Sequence, residues 1–315
     1  MRPSPEPAGR YGPFVNLGRA IQIGSFTWYI VVSAALVIAH ASSAHTLGFD
    51  GWLYREAAAT WLGGGDPWSV GPDNAHFSGT PATLLAFVPT TLLSGETWRL
   101  SSVVVAAVAA VYALRRATLP LYWLIYPPLF VGILLGQPSV LILALLVSPA
   151  AFLAPVIKAI GGIPLLWRPV HAVAAAAVGI AAILIAPGLW REWLTRLPEL
   201  SARLQGELHG GSPWWLVALG AIALIVIIRY RPEHAPWLAV AALWPLPEYH
   251  YGILALPTGV PLLLAAIAIV PGQVPIVLYA VWLVVANRFG VARRFVEKPK
   301  AVVPVGGARD RIPGA

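Results

Sequence analysis

Val170 to Pro187 reads VHAVAAAAVGIAAILIAP, apolar at nearly every position. A membrane β-strand alternates apolar and polar residues over about ten positions, so an unbroken run of this kind belongs to a helix surrounded by an apolar medium. Similar runs recur from Ser25 to Ala286 with only short polar interruptions. Of 315 residues 58% are apolar and 11% charged, and mean hydropathy is +0.74, too few charges to coat a water-soluble surface. The expected fold class is therefore all-α, a polytopic helical membrane domain over residues 25–287. It is flanked by a basic segment at 1–24 and by a basic, Pro/Gly-rich tail at 288–315 that is expected to be disordered.

The first crossing is expected at about 25–44. Arg2, Arg10 and Arg19 precede it against Glu6, which by the positive-inside rule puts the amino terminus in the cytoplasm. The following loop, His45 to Gly79, carries Asp50, Glu56, Asp66 and Asp73 against Arg55, a balance that suits a non-cytoplasmic face. Within it Leu53, Ala57 and Trp61 share one helical face, so a short interfacial helix is expected there. Further apolar stretches fall near 80–93, 98–114, 118–135, 139–153, 154–167 and 170–187. A second polar loop, Leu189 to Ser212, has Trp193, Leu197, Leu200, Leu204 and Leu208 at helical spacing and reads as a second interfacial helix. Stretches near 213–228, 235–247, 251–270 and 273–287 complete the domain.

Eleven crossings would leave Arg115, Arg116 and the basic tail outside, against the charge rule, so one or two segments are expected to be re-entrant and the count is ten or eleven. Parity is independent of that choice: the Asp50 loop and the His250 turn should lie on the same side. Prolines interrupt many of these runs, at Pro89, Pro127, Pro128, Pro138, Pro149, Pro155 and Pro164. Such breaks either mark an internal cavity or reflect only the abundance of proline in membrane helices.

The net charge of +8 is concentrated at the ends of the chain, which points to anionic lipid headgroups rather than nucleic acid as the basic partner. Cysteine is absent, so disulfides and thiolate chemistry are excluded. The chain has no Walker loop, no G-x-G-x-x-G, no H-E-x-x-H and no G-x-S-x-G, so nucleotide-dependent chemistry is unsupported; no metal-binding cluster compels a cation, although one could assist at the carboxylates. Attention falls instead on polar residues at helix ends, which are costly in apolar surroundings. Asp50 serves either as a helix cap or as a reactive carboxylate. Lys158, the lone lysine before the tail, either snorkels to a headgroup or holds an anion, and Gln137 after Gly136 is a polar hinge or a ligand-binding group. Glu248 and His250 stand two residues apart between proline-broken runs.

Taken in order, these residues resemble glycosyltransferase family 87, multi-spanning enzymes of the C-type glycosyltransferase fold. The resemblance covers roughly residues 45–260 and rests on five short motifs. Asp50 is followed four residues on by Tyr54, and then by Gly64-Gly65-Asp66-Pro67-Trp68, with Trp68 where the family has Tyr. Phe77 to Pro81 with Pro89 matches an aromatic and proline segment, Gly136-Gln137 matches a Gly-Gln before an apolar helix, and Lys158 with Pro164 matches a Lys ahead of a Pro. Pro245 and His250 keep the register of a late motif in which Trp244, Pro247 and Glu248 replace Ser, Ser and Trp.

The resemblance implies an inverting transferase at the outer face of the cytoplasmic membrane. It would move a sugar, mannose by family analogy, from a polyprenyl-phosphate donor to a lipid or glycan acceptor, without a cofactor. Asp50 would be the general base, with Lys158, Arg191, Arg196, Gln137 and His250 at the donor and its phosphate, and Tyr54, Asp66 and Glu248 orienting substrate. The alternative is a non-catalytic lipid-binding or transporter-like protein of the same fold. In a transferase Asp50, His250 and Lys158 should converge; a transporter should instead have a path reaching both faces.

Overall fold

A computed structural model describes residues 47–72, 75–207, 211–246 and 248–288, together with scattered positions between 24 and 38. The basic amino-terminal segment, most of the first expected crossing and the tail beyond 288 lie outside the described residues. Among the described residues every regular element is helical. In chain order these are α1 (Phe49–Leu62), α2 (Pro81–Phe87), α3 (Gly95–Arg116), α4 (Pro127–Leu135), α5 (Pro138–Leu146), α6 (Ala154–Ile157), α7 (Pro169–Ile185), α8 (Pro187–Glu207), α9 (Trp214–Tyr230), α10 (Ala235–Leu243), α11 (Pro261–Ile269) and α12 (Gln273–Arg288). Tighter 3-10 segments join several of them, among them Pro67–Ser69, Ala159–Trp167 and Tyr249–Thr258.

The prolines act mainly as helix starters. Pro81, Pro127, Pro138, Pro169, Pro187 and Pro261 each open a helix, where the missing N–H would lack a partner anyway and the fixed φ suits the first turn. The apolar runs are thereby cut into short pieces. By length and composition α3, with 22 residues, is a candidate membrane span by itself. Two bent pairs add to it when each is counted as one span: α4 with α5, turned by 118°, and α7 with α8, turned by 102°. The apolar stretch over 118–135 divides at its prolines, and the single helix expected over 251–270 is corrected. The first is a 3-10 segment, Leu121–Ile125, followed by α4; the second is the Tyr249–Thr258 segment followed, after left-handed Gly259, by α11. At about 1.5 Å per residue a nine-residue piece such as α4 or α5 reaches only about half way through a hydrocarbon core.

The outward faces are apolar. Val104 and Val108 on α3, Val170, Val173 and Leu184 on α7, Ile222 and Ile225 on α9, and Leu278 and Val281 on α12 are all exposed. A water-soluble monomer rarely shows contiguous apolar surface on this scale, whereas a lipid-facing one requires it. Inside, the larger core joins α3–α6 to α9–α12 through residues such as Trp123, Tyr126, Ile142 and Leu264. A second, smaller core holds Leu53, Tyr54, Trp68, Phe77, Phe87, Leu189 and Leu200. Helices α1 and α8 are the two helices expected in the polar loops, and they meet in this second core rather than lying apart on a surface.

Candidate functional site

The position of Asp50 begins with glycine. Gly48 caps α1 in the left-handed region, φ 67°, and a Cβ there would run into the backbone carbonyl of Arg99. Its N–H donates to the Leu134 carbonyl at 2.7 Å, Arg99 Nε donates to the Leu47 carbonyl at 2.7 Å, and Trp98 Nε1 donates to the Gly51 carbonyl at 2.9 Å. Gly51 and Gly136 both lie so close to Ser102 that a Cβ on either would collide with its side chain. The start of α1, the middle of α3 and the α4–α5 corner are thus held at backbone distance, and Asp50 stands in the first turn of α1 facing that corner.

Asp50 is not the helix cap; Gly48 is, with no side-chain capping bond. The Asp50 carboxylate instead accepts a hydrogen bond at 3.1 Å from Nε2 of Gln137, which heads α5 and is itself buried. Burial pushes the Asp50 carboxyl up to about 7; the positive charge of Lys158 opposes this and the negative charge of Glu248 adds to it. These two partners come from distant parts of the chain. Lys158 sits at an extended break between α6 and the Ala159–Trp167 segment, and its Nζ lies 2.8 Å from Oε2 of Glu248 and 4.8 Å from the centre of the Tyr251 ring. The Tyr251 hydroxyl donates to Oε1 of Glu248 at 2.7 Å. Burial pushes the Glu248 carboxyl up, but the Lys158 charge, the bonds from Lys158 and Tyr251 and the nearby His250 together hold it below its usual range.

Tyr54, one helical turn beyond Asp50, is buried edge-on against Phe77, with the Phe87 ring tilted beside it at 5.0 Å. Burial pushes its hydroxyl up to about 12, with Lys158, Glu248 and Asp50 all within electrostatic range. His250 is half-buried, edge-on to Tyr249 at 5.9 Å. Asp50, Tyr54, Gln137, Lys158, Glu248 and His250 therefore share one neighbourhood. The Asp50 loop and the Glu248–His250 turn come together there.

The remaining candidates lie elsewhere. Asp66 caps the Pro67–Ser69 turn, accepting from the Trp68 N–H at 3.0 Å, and its other oxygen takes Nη1 of Arg196 at 2.6 Å. Arg196 also lies over the Trp68 ring, and Arg203 donates to the Trp68 carbonyl at 2.7 Å. Asp66 and Arg196 are thus engaged with each other, tying α8 to the first polar loop, and Arg191 is on the exposed side of α8. Tyr251 escaped the sequence reading, although it stands next to His250; a tyrosine at a helix break carries no signal of its own. Compared with known protein families, curated proteins and solved structures, the chain matches none.

Proposed function

We propose that this protein is a membrane glycosyltransferase that takes a sugar from a polyprenyl phosphate and passes it to a hydroxyl of a lipid or glycan acceptor. The observation that carries the reading is the gathering of Asp50, Gln137, Lys158 and Glu248, from four separate parts of the chain, into one polar cluster within apolar surroundings. An inverting transfer needs a base on one side of the sugar and a cation at the departing phosphate on the other. In the proposed step the acceptor hydroxyl attacks the anomeric carbon and loses its proton to Asp50. The bond from that carbon to the phosphate oxygen breaks, and the phosphate leaves with one more negative charge. Lys158 meets that charge by exchanging Glu248 for the phosphate, while Tyr251 retains Glu248. His250 borders the donor side.

An open apolar groove of about 400 Å³ is lined by Tyr112, Leu141, Ala144, Leu145, Ser148 and Ile157, the last immediately before Lys158. It suits an isoprenoid chain whose phosphate ends at Lys158. The reading also includes ten or eleven membrane passages, some made by bent helix pairs, in the cytoplasmic membrane, with the cluster at the outer face. One observation favours the second reading, a non-catalytic lipid-binding or transporter-like protein: Lys158 already has a carboxylate partner and needs no ligand to be neutralised. The deciding experiment incubates the protein in lipid nanodiscs with a panel of polyprenyl-phosphate sugars and simple glycoside acceptors. Transfer of labelled sugar supports the transferase; lipid binding without transfer to any acceptor supports the second reading.

A further inference from the structure

Gln137 is 5% exposed, and its amide nitrogen bonds Asp50 at 3.1 Å. Its carbonyl oxygen is buried and has no hydrogen-bond partner among the described residues. Leaving a buried acceptor unpaired is costly, and such an atom calls for an explanation. The chemistry decides which end of the amide faces which way. An ionised carboxylate only accepts, so Asp50 ready to act as a base must be offered the NH₂ end, and the carbonyl is what remains. A carbonyl oxygen repels a phosphate and attracts an O–H. The two heteroatoms share one carbon, so this oxygen lies at most about 5.5 Å from the carboxylate oxygen that its nitrogen touches.

We infer that Gln137 Oε1 and the Asp50 carboxylate together form a seat for two neighbouring hydroxyls of a saccharide acceptor. The attacking hydroxyl gives its proton to Asp50, and the hydroxyl on the adjacent ring carbon donates to Gln137. This rests on the transferase reading for the identity of the reaction, and it narrows the acceptor to a glycan with adjacent hydroxyls. Gln137 is thereby a positioning residue for Asp50 and a specificity residue for the acceptor, in place of the phosphate-binding role that the family resemblance implied. Lys158 and Glu248 remain on the donor side.

The test is binding of a methyl hexopyranoside and its single-deoxy analogues to the wild-type protein in nanodiscs, followed by saturation-transfer NMR. The intact glycoside should bind about tenfold more tightly than at least one deoxy analogue, the factor expected when a buried acceptor loses its donor. Gln137→Leu should abolish that preference. In turnover it should also move the pH midpoint upward, because the ionised Asp50 loses its amide donor. Equal binding of all analogues, or none of any, overturns the seat; so does a flat series caused by a water that stays on Gln137. If Gln137→Leu does not fold, the wild-type series decides alone. Preferential binding without any sugar transfer overturns the transferase reading and leaves the seat standing, whereas transfer that ignores the deoxy changes does the opposite.

Discussion

Lys158 and Glu248, 90 positions apart, form a close ion pair at 2.8 Å with side chains only 16% and 13% exposed. Each is the other's means of staying charged in apolar surroundings, and Tyr251 fixes the carboxylate from its second oxygen. Breaking such a pair from one side costs about 3–5 kcal/mol, because the survivor is left buried without a counter-charge. Lys158→Ala should therefore lower thermal stability and abolish polyprenyl-phosphate binding, with Lys158→Arg keeping part of both. The double change Lys158→Met with Glu248→Gln should recover much of the stability but none of the phosphate affinity. Recovery of both in thermal-shift and lipid-binding measurements would remove Lys158 from the donor site.

Asp50→Asn should cut turnover by about 10²- to 10⁴-fold, the usual contribution of a general base, with donor binding largely intact. Thermal stability should hold or rise, since the change removes a carboxylate raised by burial and Asp50 caps no helix. Wild-type turnover in the Asn variant would shift the base elsewhere.

The pH dependence has a definite sign. Turnover needs ionised Asp50, so it should rise with pH through about 7. Glu248→Gln, which removes a negative neighbour, should move that midpoint down. Stability runs the other way. Because the folded pKa of Asp50 lies above its ordinary 3.8, the folded state holds the proton more tightly than the unfolded chain. The contribution of Asp50 is full below that ordinary value and is lost as pH rises through about 7. Unfolding temperatures measured from pH 4 to 8 should show this slope in the wild type and less of it in Asp50→Asn.

Gly51→Ala places a methyl group into Ser102 and should push α1 off α3. A loss of about 1–3 kcal/mol is typical of such overpacking, and turnover should fall with it as Asp50 moves from Gln137. Ser102→Gly in the same chain should restore part of both. Failure of that rescue would show that the close approach at Ser102 does not position Asp50.

Asp66→Ala removes a turn cap and the partner of Arg196 together, so α8 should become easier to cleave in limited proteolysis. Because Asp66 and Arg196 engage each other outside the Asp50 cluster, turnover should fall less than tenfold. A loss comparable with that of Asp50→Asn would bring this pair into the reaction.

The sequence by itself determined the solvent and the class of the fold. Runs such as residues 170–187 admit helices in an apolar medium and little else, and the polar residues worth attention were countable because so few interrupt them. It marked a helix break at Gly136-Gln137, because proline and glycine act locally, and a change of environment between the run ending at Pro187 and the polar loop beginning at Leu189. Only the tertiary structure decided how far the chain turns there, 118° and 102°, since a break leaves the angle to packing. It also decided partners: Asp66 and Glu248 look alike as acids near proline, yet one takes Arg196 and the other Lys158. Periodicity reports which face a residue occupies on its own helix. Which distant residue meets that face depends on the close contact of Gly48, Gly51 and Gly136 with α3, a long-range fit that no local pattern records.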